Sequence, residues 1–398
     1  MKNFVGLILA GLFLCVIGNG CTSNDSMPEV PEYIMELENL TVYQADSKIS
    51  TILSFKQDAI YGDTEDVFIG NIRDIAVDDL GRVFIADPTI MVVHAFEPDG
   101  QYIGQLGREG RGPGEFSNIR SLNVHRDRLY AYDPSQYRMH IFTVHDLAGE
   151  KTVNLAGNRG SFSSLAGTLP WIQDVHVRND DTYIAKFLFE DKSPALQNWE
   201  NYEVMGLYYQ LNNSGSITGE LFEFTNETRT RFPIRNVAFD MLFEPFFGIT
   251  LMVISSNNYI YIAIPDYFLI KQMSPNGAYH QSFFYPIGKL PISKESAIEA
   301  ELAELYVNEI QNLDLPEFWP VLTDMKTDNQ DRLWVATTVE DMSVLEWWVL
   351  ENTGEPITRF EWPRSKPIQV IKNDYIYTLE TDEETDLQQV VRYRIEIN

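Results

Sequence analysis

Residues 78–86, Asp78-Asp79-Leu80-Gly81-Arg82-Val83-Phe84-Ile85-Ala86, return near the far end of the chain as Asp328-Asn329-Gln330-Asp331-Arg332-Leu333-Trp334-Val335-Ala336. Each places an acidic turn ahead of a short apolar run with an aromatic inside it. The same arrangement, less well preserved, sets Tyr130, Tyr183, Tyr261 and Tyr377 in β-like runs that follow turns, and the six aromatics lie 43 to 78 residues apart. A recurring unit of short strands cannot bury both its faces alone and must stack on copies of itself. That is how a chain encodes the blades of a β-propeller. The expectation is an all-β chain forming a six-bladed β-propeller with four-stranded blades.

Working outward, Ile72–Val77, Val83–Ala86, Met91–Phe96 and Tyr102–Leu106 read as the four strands of blade 1, with Pro98-Asp99-Gly100 as a turn. Blade 2 follows from Ile119 to about Asn154, blade 3 from Ile172 to near Phe224, blade 4 from Thr250 to Tyr285 and blade 5 from Val321 to Glu361. Blade 6 has only Ile368–Ile371, Tyr375–Leu379 and Gln389–Ile397. Its outer strand is expected from the N-terminal run Ser50–Lys56, which would close the ring and remove two exposed edges. The long segments Leu155–Pro170, Glu190–Asn201, Thr225–Gly248 and Ile287–Pro320 are loops of one face, and long loops tend to carry function. One of them holds a helix at about 292–313, with Ser296 and Glu299 as a capping box and Ile298, Leu302, Leu305, Tyr306, Ile310 and Leu313 at helical spacing. The helix reads as a lid with a solvated acidic face, or as a docking element.

The link Gly104-Gln105-Leu106-Gly107-Arg108-Glu109-Gly110-Arg111-Gly112-Pro113-Gly114-Glu115-Phe116, with Leu129-Tyr130-Ala131-Tyr132-Asp133 after it, resembles NHL-type repeats. Over residues 45–398 the chain is similar to the six-bladed β-propeller lipoproteins of Bacteroidetes-type bacteria. Blades 3 and 4 depart from the NHL pattern, with Lys186 and Ile264 where Asp87 and Asp133 stand. The resemblance implies a six-bladed ring and no agreed activity.

At the N-terminus, Lys2, the apolar run Phe4–Ile17 and Asn19-Gly20-Cys21 resemble a bacterial lipoprotein signal, in which Cys21 becomes the lipidated first residue. An ordinary secretory signal is the alternative; the apolar run is shorter than the ~20 residues a spanning helix needs. The expected division is signal peptide 1–20, tether 21–32 and propeller 33–398. Thr22 is not the aspartate associated with inner-membrane retention, so the expected address is the cell envelope, anchored by lipid at the outer membrane. Cys15 and Cys21 are the two cysteines, which leaves no disulfide or cysteine metal site in the folded part. The formal net charge of −28 opposes phosphate backbones and excludes nucleic acid as a natural partner.

Several residue sets could carry chemistry. Asp74, Asp174 and Asp324 recur near the start of the innermost strands of blades 1, 3 and 5, with Ser121 in that place in blade 2. They could converge on the channel mouth as oxygen ligands of Ca²⁺, or each could hold a backbone amide. Asp87 and Asp133 end second strands, where an aspartate caps the turn that follows. Arg108 and Arg111 could grip a carboxylate or a sulfate ester, or be solvated loop charge. Trp171, Trp199, Trp319 and Trp362 fall near strand starts or in insertions, and could stack on sugar rings or peptide side chains, or anchor their loops. His94 and His140 align on third strands and read as packing. His125 and His176 do not align, which argues against a three-histidine zinc site. Nucleophile elbow, phosphate loop and zinc-protease motifs are absent. The leading reading is a non-catalytic envelope module that binds a protein or glycan through one face. The alternatives are a divalent-cation-dependent hydrolase, lactonase or lyase using the axial carboxylates, and a structural subunit of an outer-membrane complex.

Overall fold

The structure, a computed structural model, describes residues 30–44, 52–62, 67–157, 171–190, 202–229, 246, 248–300 and 315–397. Six four-stranded antiparallel sheets are arranged as a ring. Blade 1 is Asp74–Val77, Val83–Asp87, Val92–Phe96 and Tyr102–Leu106; blade 2 is Ser121–His125, Arg128–Asp133, Arg138–Thr143 and Ala148–Asn154. Blade 3 is Trp171–Val177, Tyr183–Glu190, Tyr202–Leu211 and Ile217–Arg229; blade 4 is Leu251–Ile254, Ile260–Ile264, Phe268–Met273 and Tyr279–Tyr285. Blade 5 is Leu322–Thr327, Leu333–Thr338, Val344–Leu350 and Pro356–Pro363. Blade 6 takes Ile368–Lys372, Tyr375–Thr381 and Gln388–Ile397 from the end of the chain and Leu53–Tyr61 from its beginning. First strands of neighbouring blades touch one another at the junctions of blades 1 and 2, 2 and 3, 4 and 5, 5 and 6, and 6 and 1, so they line the axis of the ring.

Local chemistry explains the regularity. The third and fourth strands of blades 1, 3, 4 and 5 are joined through Gly100, Gly215, Gly277 and Gly354, with φ between +82° and +90°. In each turn an N–H four residues before the closing strand residue meets its carbonyl, as in Glu97 to Gln101 and Ser274 to Ala278. Such three-residue hairpins need a left-handed residue, supplied by glycine, and insert a bulge. The bulges fall where expected, between Ala95 and Phe96, Gln210 and Leu211, Gln272 and Met273, and Val349 and Leu350. The turns between first and second strands use Gly81, Asp181, Asn258 and Asp331 in the same conformation.

Each seam between blades is filled by its own apolar cluster. Phe84 lies in the seam of blades 1 and 2, Tyr130 in that of 2 and 3, Tyr261 in that of 4 and 5, Trp334 in that of 5 and 6, and Tyr377 in that of 6 and 1. Blade 3 corrects the sequence reading. Counting from the turn bond of Arg178 with Thr182, as from Asp78 with Arg82, the equivalent residue is Ile184, which packs toward blade 4. Tyr183 sits one position earlier and faces blade 2, with its ring 6.4 Å from that of Tyr130. A shift of one residue along a strand moves a side chain to the other face.

The closing strand pairs with Gln388–Ile397 from Leu53 to Tyr61, farther along the chain than the expected Ser50–Lys56. A register shift between Gln57 and Ala59 breaks the two-residue alternation there, which hid the second half of the strand. Asp58 meets Arg392 in an ion pair across this junction. The folded part also reaches back to Val30, inside the expected tether. The short helix Glu32–Met35 buries Ile34 against Leu269 and Phe284, and Leu40–Val42 adds a parallel fifth strand to blade 4. Of the expected helix at 292–313, Lys294–Ala300 is helical, with Ala297 and Ala300 packed against Trp319, Phe246 and Met342. No described helix is long and apolar enough to cross a membrane. The signal and Cys21, Trp199, and most of the long loops (158–170, 191–201, 230–245 and 301–314) lie outside the described residues.

Candidate functional site

The axis of the ring opens into a cavity of about 320 Å³ at the face where first strands end. Every blade contributes, from Val77, His125, Asn179, Ser255, Asn329 and Lys372 among others. The rim is stitched from blade to blade. Lys372 Nζ lies 2.7 Å from Asp79 Oδ1 and donates to the Val77 carbonyl, joining blades 6 and 1. Asn373 N–H donates to Asn329 Oδ1 at 3.0 Å, joining 6 and 5. The N–H and hydroxyl of Ser256 both donate to Asp331, joining 4 and 5. Asn179 N–H donates to Asn258 Oδ1 at 2.8 Å, and Arg126 donates to the Asn179 carbonyl at 3.1 Å. These positions sit in tight turns that Asn and Asp favour, so turn chemistry also supplies the polar lining. Burial, followed by the Arg126 charge, lowers the pKa of His125, and its Nε2 is a buried atom without a hydrogen-bond partner. The cavity therefore presents a neutral imidazole, amides and hydroxyls, together with one lysine and the Asp328 and Asp331 carboxylates, each of which already has a partner.

The opposite mouth holds the aspartates singled out in the sequence. Asp74 Oδ1 accepts from Ile75 N–H at 2.9 Å and Oδ2 from Leu122 N–H at 2.6 Å, tying blade 1 to blade 2. Asp174 Oδ1 accepts from Ser121 Oγ at 3.1 Å and from Val175 N–H, tying blade 3 to blade 2. Asp324 accepts from Met325 N–H and lies 3.0 Å from Lys326 Nζ. The three thus act as staples between or within blades. Among the described residues no three His, Cys, Asp or Glu side chains stand close enough to hold one metal ion. Asp74 keeps part of its surface on the channel. Its depth in the ring, then the nearby Asp174 charge, push its pKa up to about 7 against the pull of the two amides and Lys326.

The remaining candidates separate in the same way. Asp87 accepts from Gly70 and Thr89 N–H, and Asp133 from Ser117, Asn118 and Gln136 N–H, each fixing the following turn and the link from the preceding blade. In the glycine-rich link, Glu115 fills the nest that its own loop forms. It accepts from Arg111 and Gly112 N–H and pairs with Arg108 at 2.7 Å, and those contacts lower its pKa. Arg108 therefore grips a carboxylate, but an internal one; the Arg111 side chain is exposed. Trp319 is buried against Phe246, and Trp362 is buried with its Nε1 donating to the Lys366 carbonyl, so both rings are packing. Trp171 is half-buried and pairs with Leu188 in blade 3. His94 and His140 are buried, and burial holds His140 down to about 4, hence neutral.

What sequence reasoning missed is a pocket of about 210 Å³ in the seam of blades 4 and 5, opening on the same face as the axial cavity and sharing Ser255 and Asp331 with it. Tyr259 and His280 stand at 5.7 Å between ring centroids beside it. The signal available was Gln272, which pairs across from Tyr261 where blades 1, 2 and 5 place Ala95, Ile141 and Val349.

The ring and its axial cavity define a six-bladed β-propeller. The profile of the DUF5128 family, described as a 6-bladed beta-propeller, matches residues 32–167. No curated protein matches the chain by sequence. Among solved structures, a DUF4221 member from Bacteroides vulgatus is similar over 87% of this chain and 98% of its own, at 8% identity and a TM-score of 0.53. A candidate exported protein of Bacteroides fragilis covers 90% and 99%, at 13% identity and a TM-score of 0.48. Virginiamycin B lyase from Staphylococcus aureus covers 87% and 99%, at 10% identity and a TM-score of 0.39. At 8% identity the likeness to the DUF4221 member speaks to the fold alone.

Proposed function

We propose that the protein is a non-catalytic binding module of the bacterial cell envelope, held at the outer membrane by a lipid on Cys21 and taking an envelope protein or glycan on one face of its ring. The observation that carries this reading is the axial cavity, lined from all six blades and presenting mostly neutral hydrogen-bonding groups on a rigid rim. Such a concave, pre-formed site with few convergent polar groups is suited to recognition. The run Phe4–Ile17 before Cys21 supports the anchor. Two measurements test the reading. Cys21→Ser should release the protein from membranes, and continued sedimentation with them would overturn the anchor. Alanine at Asn329 and Asn179 should weaken the retention of envelope material on immobilised protein; retention unchanged by both would remove the axial site.

A hydrolase or lyase using the axial carboxylates is the second reading, favoured by Asp74, whose raised pKa suits a proton donor near neutral pH. A Ca²⁺-dependent rise in melting temperature, lost in Asp174→Ala, would put that reading ahead.

A further inference from the structure

The pocket between blades 4 and 5 has a chemistry different from that of the seams around it. Seams are filled by apolar side chains, yet here a relay of polar groups runs outward from the core. Gln281 Nε2 donates to Gln272 Oε1 at 2.6 Å, and Gln272 Nε2 donates to the Tyr261 hydroxyl at 2.7 Å. Gln272 is only 6% exposed. In blade 3 the corresponding Gln210 stays partly exposed, and in blade 6 Arg392 is matched by Asp58. Burying a primary amide costs free energy unless each of its groups is satisfied. A fold that places one here, beside an open cavity, departs from its own packing rule, and such departures concentrate at functional sites.

The lining states what would fit. Tyr259 and His280 offer aromatic surface at one side, and Gln272, Gln281 and the Tyr261 hydroxyl offer donors and acceptors at the other. Burial pushes the Tyr261 hydroxyl up to about 12, so it stays protonated, accepting from Gln272 and donating to the Asn352 carbonyl at 3.4 Å. The lining contains no lysine or arginine, and its one carboxylate, Asp331, already accepts from Ser256. In a chain of net charge −28 such a pocket disfavours anions. With about 210 Å³ it is smaller than the sites that take drug-sized ligands, and has the scale of one sugar ring. A neutral sugar presents both faces that this lining complements, C–H groups for the aromatic rings and hydroxyls for the amides.

We propose that the seam between blades 4 and 5 is a binding subsite for one residue of a neutral glycan, with Tyr259 and His280 as its apolar wall and Gln272 and Gln281 as its hydrogen-bonding wall. The proposal rests on the binding-module reading and gives it a ligand class and a second place on the same face. The two cavities share Ser255 and Asp331, but Tyr259, Gln272, His280 and Gln281 line this one alone, so substitutions there test it independently of the axial cavity.

The test is calorimetric titration of the purified full-length protein with neutral monosaccharides and neutral oligosaccharides, alongside uronic acids and short peptides. Neutral saccharides should bind, and oligosaccharides should bind more tightly than monosaccharides if the natural ligand is a chain end rather than a free sugar. Gln272→Leu places an apolar residue where blades 1, 2 and 5 already have one, so it should fold. It should weaken binding by about tenfold, the effect of losing roughly one hydrogen bond to a neutral group. Tyr259→Ala, at a half-buried rim position, should do the same and decides the matter if Gln272→Leu unfolds. Ile90→Ala, at an exposed position that lines neither cavity, should leave saccharide affinity unchanged. The proposal is overturned if no neutral saccharide binds, if peptides or uronic acids bind instead, or if affinity follows Asn329 rather than Gln272 and Tyr259. The last outcome would leave the axial reading standing.

Discussion

Tyr61 is the residue through which the N-terminal strand locks the ring, and its removal measures how much that closure contributes. The side chain is fully buried in the seam of blades 6 and 1. Its ring centroid lies 6.1 Å from that of Phe96, 6.3 Å from that of Tyr377 and 6.0 Å from the Arg392 guanidinium, and its hydroxyl donates to the Pro98 carbonyl at 2.7 Å. It therefore joins the closing strand to blade 1 as well as to blade 6. Tyr61→Ala opens a cavity that the flanking strands fill only in part, at a cost of about 3–5 kcal/mol. Tyr61→Phe keeps the ring and leaves the Pro98 carbonyl without its donor, a loss of about 1–2 kcal/mol. Ile60→Ala, one position earlier on the same strand and 46% exposed, is the control and should change stability by no more than about 0.5 kcal/mol. Equilibrium unfolding in guanidinium chloride, followed by tryptophan fluorescence and circular dichroism, reads all three. If Tyr61→Ala costs no more than Ile60→Ala, the ring does not depend on its N-terminal strand and the closure argument fails.

Three further outcomes follow from the site geometry. Asp78 and Asp328 cap equivalent turns and pair with Arg82 and Arg332, but Asp328 also accepts from Trp334 Nε1 at 2.9 Å where blade 1 has Phe84. Asp328→Ala should cost about 3–5 kcal/mol, and Asp78→Ala about 1–2 kcal/mol less because no indole N–H is orphaned; equal losses on denaturation would contradict this account. Asp74 has a folded pKa of about 7 against an ordinary 3.8, so its contribution is fully present below about pH 4 and is lost as pH rises through 7. The stability of the parent relative to Asp74→Asn should accordingly fall between pH 4 and 7 and level off above 8, and a difference that is flat with pH would refute the assignment. Glu115→Ala should speed hydrogen exchange at the Arg111 and Gly112 amides while hardly moving the melting temperature, since it empties a surface nest; unchanged exchange there would show that the loop holds its shape without the carboxylate.

Much of the ring was legible in the sequence because its signals are local. Pro98-Asp99-Gly100, Pro275-Asn276-Gly277 and Asn352-Thr353-Gly354 announce hairpins through one left-handed glycine each, and the apolar runs between them have strand length. The roles of Asp87 and Asp133 were readable for the same reason, since each bonds amides of the turn that directly follows it. Local pattern could not tell which face Tyr183 takes, because its neighbour Ile184 is also apolar and only the turn register chooses between them. Nor could it carry the closing strand past the bulge at Gln57 and Ala59, where partners more than 300 residues apart decide the pairing.

The candidate sites were the least legible part. Asp74, Asp174 and Asp324 repeat in sequence as a column would, but each is spent on an amide, hydroxyl or ammonium group of its own strand or of the neighbouring blade. Both cavities instead draw on residues far apart in the sequence: the axial rim from Asp79 to Lys372, the seam pocket from Ser255 to Thr353. The sequence by itself determined the blades, since hydrogen bonds within a turn and two-residue alternation depend on near neighbours. Only the tertiary structure decided the seams, because which side chain fills a space between blades, and which leaves it open, depends on how the ring closes.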